Sequence, residues 1–194
     1  MSAAAGAARF ALLDANPLRA PGLSLPDLPA APSCPVVWSG SLADDPFARD
    51  LATWGPRGWS ALNDWCDAIA PPLAAAGRRV LLRPHARHVL SDVQRCLRFL
   101  DQRAGAPFAL ALEPAALFEP TMLSHADDHL TRIVSFLAPR AEVIILSDAA
   151  LSPATPDDES APVRRPPLGQ GALNEPLLRA LLNEHLSPGV PIML

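Results

Sequence analysis

Two carboxylates stand directly after short, wholly apolar runs, and they are the first candidates for chemistry. Glu113 follows Phe108–Leu112, and Asp148 follows residues 142–147, EVIILS. Runs of this kind are typical of strands buried on both faces of a parallel sheet. In α/β folds the chemistry lies at the carboxyl ends of such strands. Glu113 and Asp148 are therefore predicted as catalytic carboxylates. The alternative is that Glu113 is simply the first solvated residue after its strand.

Imidazole side chains follow another predicted strand. Residues 79–83, RVLLR, read as a strand, and the sequence PHARH comes next, with His85 and His88. These histidines could join Glu113 and Asp148 in a metal cluster, and His85 is the candidate ligand. The alternative is a pair of solvated loop histidines.

Arginines stand at the same predicted strand ends. Arg83 and Arg165, with Arg87 and Arg164, could gather at one face and bind a phosphate or carboxylate, because guanidinium groups pair well with both. Alternatively, they pair with Glu113, Asp148 and the acidic residues 157–159. Arg83 and Arg165 are the predicted anion-binding pair.

Several function classes lack their motifs. The sequence has no GxGxxG, no GxSxG and no lysine for a P-loop. Its three cysteines form no CxxC pair, which favours reduced thiols and a cytoplasmic location. A net charge of -4 argues against nucleic-acid binding. No stretch reaches transmembrane length, and the N-terminal apolar run is too weak for a signal peptide, so no membrane association is expected.

The 194 residues suit one domain behind an arm. Residues 1–33 are rich in Pro and Ala and are predicted as an irregular N-terminal arm, with a brief strand in RFALLDAN. From residue 34 to 194, apolar runs alternate with amphipathic stretches. This alternation predicts an α/β fold with about five parallel strands. Strands are expected at 34–39, 79–83, 108–112, 142–147 and in the last residues.

Helices are expected between these strands, at 59–76, 91–103, 124–137 and 174–186. Pro71 and Pro72 are expected to kink or split the first of them. Ser91, Ser124 and Asn174 are the predicted N-caps of the others.

Four segments together resemble the xylose isomerase-like TIM barrels, the superfamily of sugar phosphate isomerases/epimerases and AP endonuclease family 2. LEPAALF is similar to the LDPxHL motif, IILSD to VHLKD, and RRPPLGQG to RHxPLGEG, while LLRPH stands where that superfamily has LEN or LEP. The resemblance covers residues 34–194 and implies the last five of eight βα units. The expected fold is thus a partial (β/α)8 TIM barrel, with an open α/β sheet as the alternative.

The resemblance implies a divalent metal such as Mn, Mg or Zn at the strand ends, where it would polarise a sugar carbonyl or hydroxyl. Most of the ligands differ here. The sequence has Arg83 for a glutamate, Ala116, Ile145 and Arg165 for histidines, Ser147 for a lysine and Gln170 for a glutamate. Glu113 and Asp148 remain. The resemblance therefore predicts a degenerate metal site, and a bound metal only if the protein is active.

Two functions are expected from these features. The first is a sugar phosphate isomerase/epimerase-like protein that is truncated or has a degenerate metal site. The alternative is a noncatalytic partial barrel that binds a protein partner or an anionic small molecule such as a sugar phosphate. Since five units leave two sheet edges open, self-association or a partner is expected to cover them.

Overall fold

The structure is a computed structural model that describes residues 10–19, 22–30, 33–152 and 160–194. It contains a sheet of six strands: β1 (Phe10–Leu12), β2 (Cys34–Trp38), β3 (Val80–Arg83), β4 (Phe108–Leu112), β5 (Ala141–Ile145) and β6 (Ile192–Met193). β1 lies inside the segment predicted as an arm and pairs with β2, so the sheet begins before residue 34. The other five strands are those that the apolar runs predict.

All neighbouring strands are parallel, and their order in the sheet is their order in the sequence. A doubly wound sheet reverses its strand order at a switch point, and this sheet does not. The strands therefore form a curled half-barrel, with β1 and β6 at the two edges. The predicted partial TIM barrel is confirmed.

In the described ranges, five α-helices connect or precede the strands: α1 (Leu51–Trp54), α2 (Pro56–Ala75), α3 (Val93–Gln102), α4 (Ala126–Leu137) and α5 (Glu175–His185). Their apolar stripes pack on the outer face of the sheet. Leu62, Trp65 and Cys66 of α2 are buried in this core, as their spacing predicts. The helix side chains and the outward residues of the strands together form the larger of two hydrophobic clusters.

Three local predictions differ from the structure. Helix α2 runs on through Pro71 and Pro72 as one element. The prolines fall in its last two turns, so only the carbonyls of Asp67 and Ala68 lose their helical donors. Asp92, not Ser91, caps α3, because its side chain accepts a hydrogen bond from the Arg95 N–H.

The segment before α4 is a 3-10 helix, Pro120–His125, which moves the start of α4 beyond Ser124. Asn174 caps α5 as predicted. Within the described ranges, no helix combines the length and apolar character needed to cross a membrane.

The inner face of the half-barrel is filled by its own side chains. Alternate strand residues point inward, and they form the smaller apolar cluster of Phe10, Val36, Leu81, Ala109, Ala111, Val143 and Ile145. Each of these residues is at most 9% exposed. This alternation also fixes which residues beyond the strand ends face inward.

Candidate functional site

The inward alternation continues past the carboxyl ends of the strands and brings polar residues together there. Trp38 and Arg83 end β2 and β3 opposite each other in the register. Glu113 comes two residues after the inward Ala111, and Ser147 two residues after the inward Ile145. We call Asp14, Trp38, Arg83, Glu113, Ser147 and Arg165 the strand-end network.

Glu113 is the centre of this network and is 1% exposed. Its Oε2 accepts hydrogen bonds from Nε of Arg83 at 2.7 Å and from Nη2 of the same guanidinium. Its Oε1 accepts from the Ser147 hydroxyl at 2.6 Å and lies 3.6 Å from Nε of Arg165. A buried carboxylate needs such partners, because burying an unpaired charge is costly.

Both guanidinium groups also lie over the indole ring of Trp38. The Arg83 group is 4.0 Å and the Arg165 group 4.9 Å from the ring centroid, close enough for cation–π attraction. The indole N–H of Trp38 donates to Oδ1 of Asp14 at 2.7 Å. Residues from the ends of β1 to β5 thus form one connected network.

Arg165 has most of its hydrogen-bonding capacity unused. Its guanidinium donates no hydrogen bond within the part of the chain that the structure describes, and its one ion pair is the 3.6 Å contact with Glu113. Burial lowers the pKa of Arg165, while Glu113 counteracts the shift. An arginine stays protonated even so, and its donors are available to an anion.

His85 and His88 lie beside the network but are buried, so the expectation of solvated loop histidines is wrong. They pack against Phe47, with ring centroids 4.9 Å and 5.5 Å from the Phe47 ring. Burial lowers the pKa of His88 to about 3 and that of His85 well below its usual value. Both are therefore neutral at physiological pH. Phe47 comes from the loop after β2 and also contacts the Trp38 ring edge-on at 5.5 Å.

Asp148 has a different role from Glu113. It is fully buried, and its two oxygens accept backbone N–H bonds from Ala149, Gly169, Gly171 and Leu173 at 2.8–3.0 Å. The segment PLGQG therefore wraps around this carboxylate. A Cβ on Gly171 would come within 2.4 Å of the Asp148 carboxylate, so only glycine allows this approach.

The other two candidate arginines, Arg87 and Arg164, form their contacts outside the strand-end network. Arg87 is 2% exposed and donates to Glu119, to the Phe47 carbonyl and to the Ala161 carbonyl. Arg164 is exposed and lies in a two-residue bridge with Ala150. The acidic residues 157–159, the alternative partners for these arginines, lie outside the described residues.

The residues present do not fit the divalent metal that the fold implies. Both carboxylate oxygens of Asp148 already accept hydrogen bonds from backbone amides. The Glu113 carboxylate is paired with two guanidinium groups. Nδ1 of His85 accepts from the Arg87 N–H at 3.1 Å. Among the described residues no group of three or more His, Cys, Asp or Glu side chains could hold a metal ion. The structure brings Glu113, Arg83 and Arg165 together, and it does not bring Asp148 or His85 into contact with them.

Comparisons with known proteins support the fold. The chain superposes on a xylose isomerase domain protein from Planctomyces limnophilus with a TM-score of 0.54 and 15% identity, covering 82% of this chain and 49% of that one. A xylose isomerase-like TIM barrel protein from Mycobacterium smegmatis, in complex with magnesium, gives 0.55 and 11%, covering 84% and 54%. A protein from Sinorhizobium meliloti gives 0.51 and 12%, covering 83% and 55%.

The chain thus spans about half the length of the structures that it matches. No protein-family model matches the sequence, and no curated protein matches it significantly. The likeness establishes the fold of a partial xylose isomerase-like TIM barrel.

Sequence reasoning missed Asp14, Trp38 and Ser147 as members of the site. A usable signal was present, because each lies an even number of residues from an inward strand position. Counting by two from Val36 reaches Trp38, and from Ile145 it reaches Ser147. Phe47 had no such signal, since it comes from a loop.

Proposed function

We propose that this chain is a noncatalytic half-barrel domain that binds a small phosphorylated molecule, such as a sugar phosphate, at the carboxyl ends of its strands without a metal. The observation that carries the proposal is the partly buried guanidinium of Arg165, whose hydrogen-bond donors are unused in the described structure. In this proposal Arg165 and Arg83 bind the anion.

The local charges favour an anion over a cation. Arg83 and Arg165 contribute two positive charges and Glu113 one negative charge, while the Asp14 carboxylate accepts the indole N–H of Trp38. A divalent cation at this place would meet two fixed guanidinium groups, and its repulsion would be strong in a partly buried site. A phosphate would gain charge-assisted hydrogen bonds from the same groups.

Trp38 supports the proposal by positioning both cations. Stacking of guanidinium groups on the indole limits their rotamers, so less entropy is lost when a ligand binds. Arg83 is also fixed by its paired hydrogen bonds to Glu113. In this arrangement Glu113 orients an arginine and takes no part in proton transfer.

Calorimetric titration of the purified protein with inorganic phosphate and with glucose 6-phosphate, in excess EDTA, tests this function. We expect saturable binding of both, unchanged by EDTA. Arg165→Gln should weaken binding about tenfold, equivalent to about 1.4 kcal/mol. Arg164→Gln is the matched control, because Arg164 is adjacent in sequence, exposed, and outside the network, and it should leave affinity unchanged. Equal losses in both variants, or no binding by the native protein, would overturn the proposal.

A metal-dependent sugar phosphate isomerase/epimerase is the second candidate, and the fold favours it. One of the matched structures contains magnesium. A ligand that binds only the folded state raises the melting temperature. This candidate requires that Mn²⁺ or Mg²⁺ raise the melting temperature of the native protein and not of Glu113→Gln. We expect no such shift, and its appearance would favour the enzyme.

We also propose that a second copy or a partner chain covers the sheet edges in a cytoplasmic protein. Apolar side chains are exposed at both edges, namely Leu12 on β1 and Ile192 and Leu194 at β6. Exposed edges and apolar side chains promote association. Light scattering across a concentration series measures it, and a monomer at all concentrations would count against a second copy.

A further inference from the structure

A cavity of about 590 Å³ lies on the outer side of the half-barrel, between α3 and α4. Its size falls within the range of small-molecule sites, about 300–1,000 Å³. None of the strand-end network lines it. The cavity is therefore a feature separate from the site proposed above.

Two helix stripes and one strand-end segment form its apolar wall. Val93 and Leu97 come from α3, and Ile133 and Phe136 from α4, while Leu117 forms part of the floor. Phe136 is 55% exposed although it is a large apolar side chain. An apolar ligand in the cavity would cover the Phe136 ring, and removing this apolar surface from water would favour binding.

The charged groups that line the cavity differ in whether they already have ion-pair or hydrogen-bond partners. Glu119 is neutralised by Arg49 and Arg87, both within 2.9 Å of its oxygens. Asp92 is engaged as the cap of α3. By contrast, the guanidinium of exposed Arg132 makes no ion pair or hydrogen bond with any described residue. Of these charged groups, Arg132 is thus the one without a described partner, since both carboxylates form ion pairs.

His129 adds a second polar group on the same helix face. It stands three residues before Arg132 on α4, and its ring meets the Phe118 ring edge-on at 6.3 Å. Positions i and i+3 of a helix lie on one side, so both groups face the same ligand end. The combination is an apolar recess with cationic and imidazole groups at its mouth.

We propose that this cavity binds a small amphipathic carboxylate, with its hydrocarbon part against Leu97, Ile133 and Phe136 and its carboxylate on Arg132. A medium-chain fatty acid has this chemistry, and so does an arylalkanoic acid. Arg132 supplies the charge, and His129 a second polar contact. The site is independent of phosphate binding by Arg165.

Calorimetric titration with two probes of equal length, octanoate and 1-octanol, tests the assignment. The native protein should bind octanoate saturably and more tightly than octanol. Arg132→Gln should lower octanoate affinity about tenfold, which is about 1.4 kcal/mol, and leave octanol affinity unchanged. Arg57→Gln, at an exposed helix arginine outside the cavity, is the matched control and should change neither.

A second variant tests the position of the hydrocarbon part. Leu97→Trp should fill the recess and abolish binding of both probes, with an unchanged far-UV circular dichroism spectrum. Unchanged octanoate binding in Arg132→Gln would overturn the proposal, as would binding that survives Leu97→Trp in the folded variant. Absence of saturable octanoate binding to the native protein would also overturn it. Phosphate titration of the same variants should be normal, which separates this site from the strand-end network.

Discussion

Glu113 and Asp148 follow neighbouring buried strands in similar sequence contexts, yet their surroundings differ in kind. Glu113 is held by charged and hydroxyl side chains, Arg83, Arg165 and Ser147. Asp148 is held by four backbone amides. The first carboxylate belongs to the side-chain network at the inner face of the half-barrel, and the second to a folded loop.

The difference follows from the two-residue alternation of a strand. Counting from the inward Ala111 brings Glu113 to the inner face. Counting from the inward Ile145 brings Ser147 there and turns Asp148 away. Two carboxylates that follow neighbouring strands therefore point to the same face only if both lie an even number of residues, or both an odd number, from an inward-facing strand residue.

Removal of the Asp148 carboxylate should give the largest effect on stability. Asp148→Ala leaves four amide N–H groups, two of them buried, without their acceptor, and each unsatisfied group carries a cost. We expect a loss of at least about 4 kcal/mol in the free energy of unfolding. Urea denaturation measures it, with Asp128→Ala on the exposed face of α4 as the control. A loss below about 1 kcal/mol would show that the loop does not depend on this acid.

Neutralisation of Glu113 should cost less, because the arginines it pairs with retain some access to water. Their side chains are 15% and 21% exposed. For Glu113→Gln we expect a loss of about 3 kcal/mol, since breaking a buried pair leaves its partners uncompensated. The same denaturation assay applies, and Glu142→Gln, whose partner Arg79 is about half exposed, is the control. A loss as large as that of Asp148→Ala would remove the contrast between the two sites.

The close approach of the PLGQG loop to Asp148 is tested by Gly171→Ala. Its new Cβ would meet a carboxylate oxygen at 2.4 Å and the Ala149 carbonyl at 2.5 Å, so the loop has to shift. Overpacking of this kind costs about 2 kcal/mol. Gly77→Ala is the comparison, because Gly77 has φ +61 and open space around an added Cβ. It should lose only about 1 kcal/mol, and equal losses would contradict the steric argument.

Acid should weaken the inner face through His85 and His88. Their pKa values are lowered in the folded protein, to about 3 for His88. The unfolded chain binds protons from about pH 6.5 downward, so their contribution is complete above that pH. It is lost progressively as the pH falls towards 3, by about 1.4 kcal/mol per pH unit for each histidine.

Melting temperatures between pH 7 and pH 5 measure this slope. His88→Phe should remove about half of it, because one titrating group is replaced by a ring of similar size. An identical slope in His88→Phe and the native protein would show that this cluster does not govern acid sensitivity.

The fold was predictable from the sequence because its signals are local. Short apolar runs alternate with amphipathic stretches, and the carboxyl-end motifs occur in the order of a barrel. Arg83 and Arg165 were also correctly placed near Glu113. Their anion-binding role stays a prediction.

The rest depended on geometry that a linear pattern does not contain. His85 and His88 pack between the rings of Trp38 and Phe47, and Phe47 comes from a loop without periodicity. The hydrogen bonds to the Asp148 carboxylate come from four backbone amides that lie 1 to 25 residues further along the chain. The brief strand predicted in RFALLDAN is confirmed as β1, and its pairing with β2, which joins the predicted arm to the sheet, was not predicted.

The order of the strands has a consequence for how the protein opens. Each strand pairs only with its neighbours in sequence, so the sheet behaves as a one-dimensional stack, similar to a repeat protein. In such a stack the ends fray first and the middle units exchange last. The two-residue β6 is then the weakest unit, and β3 and β4, which carry Arg83 and Glu113, are the most protected. Of the two proposed anion-binding arginines, Arg83 therefore lies on the part of the chain that unfolds last, while Arg165 follows β5 and lies closer in sequence to the weakest strand.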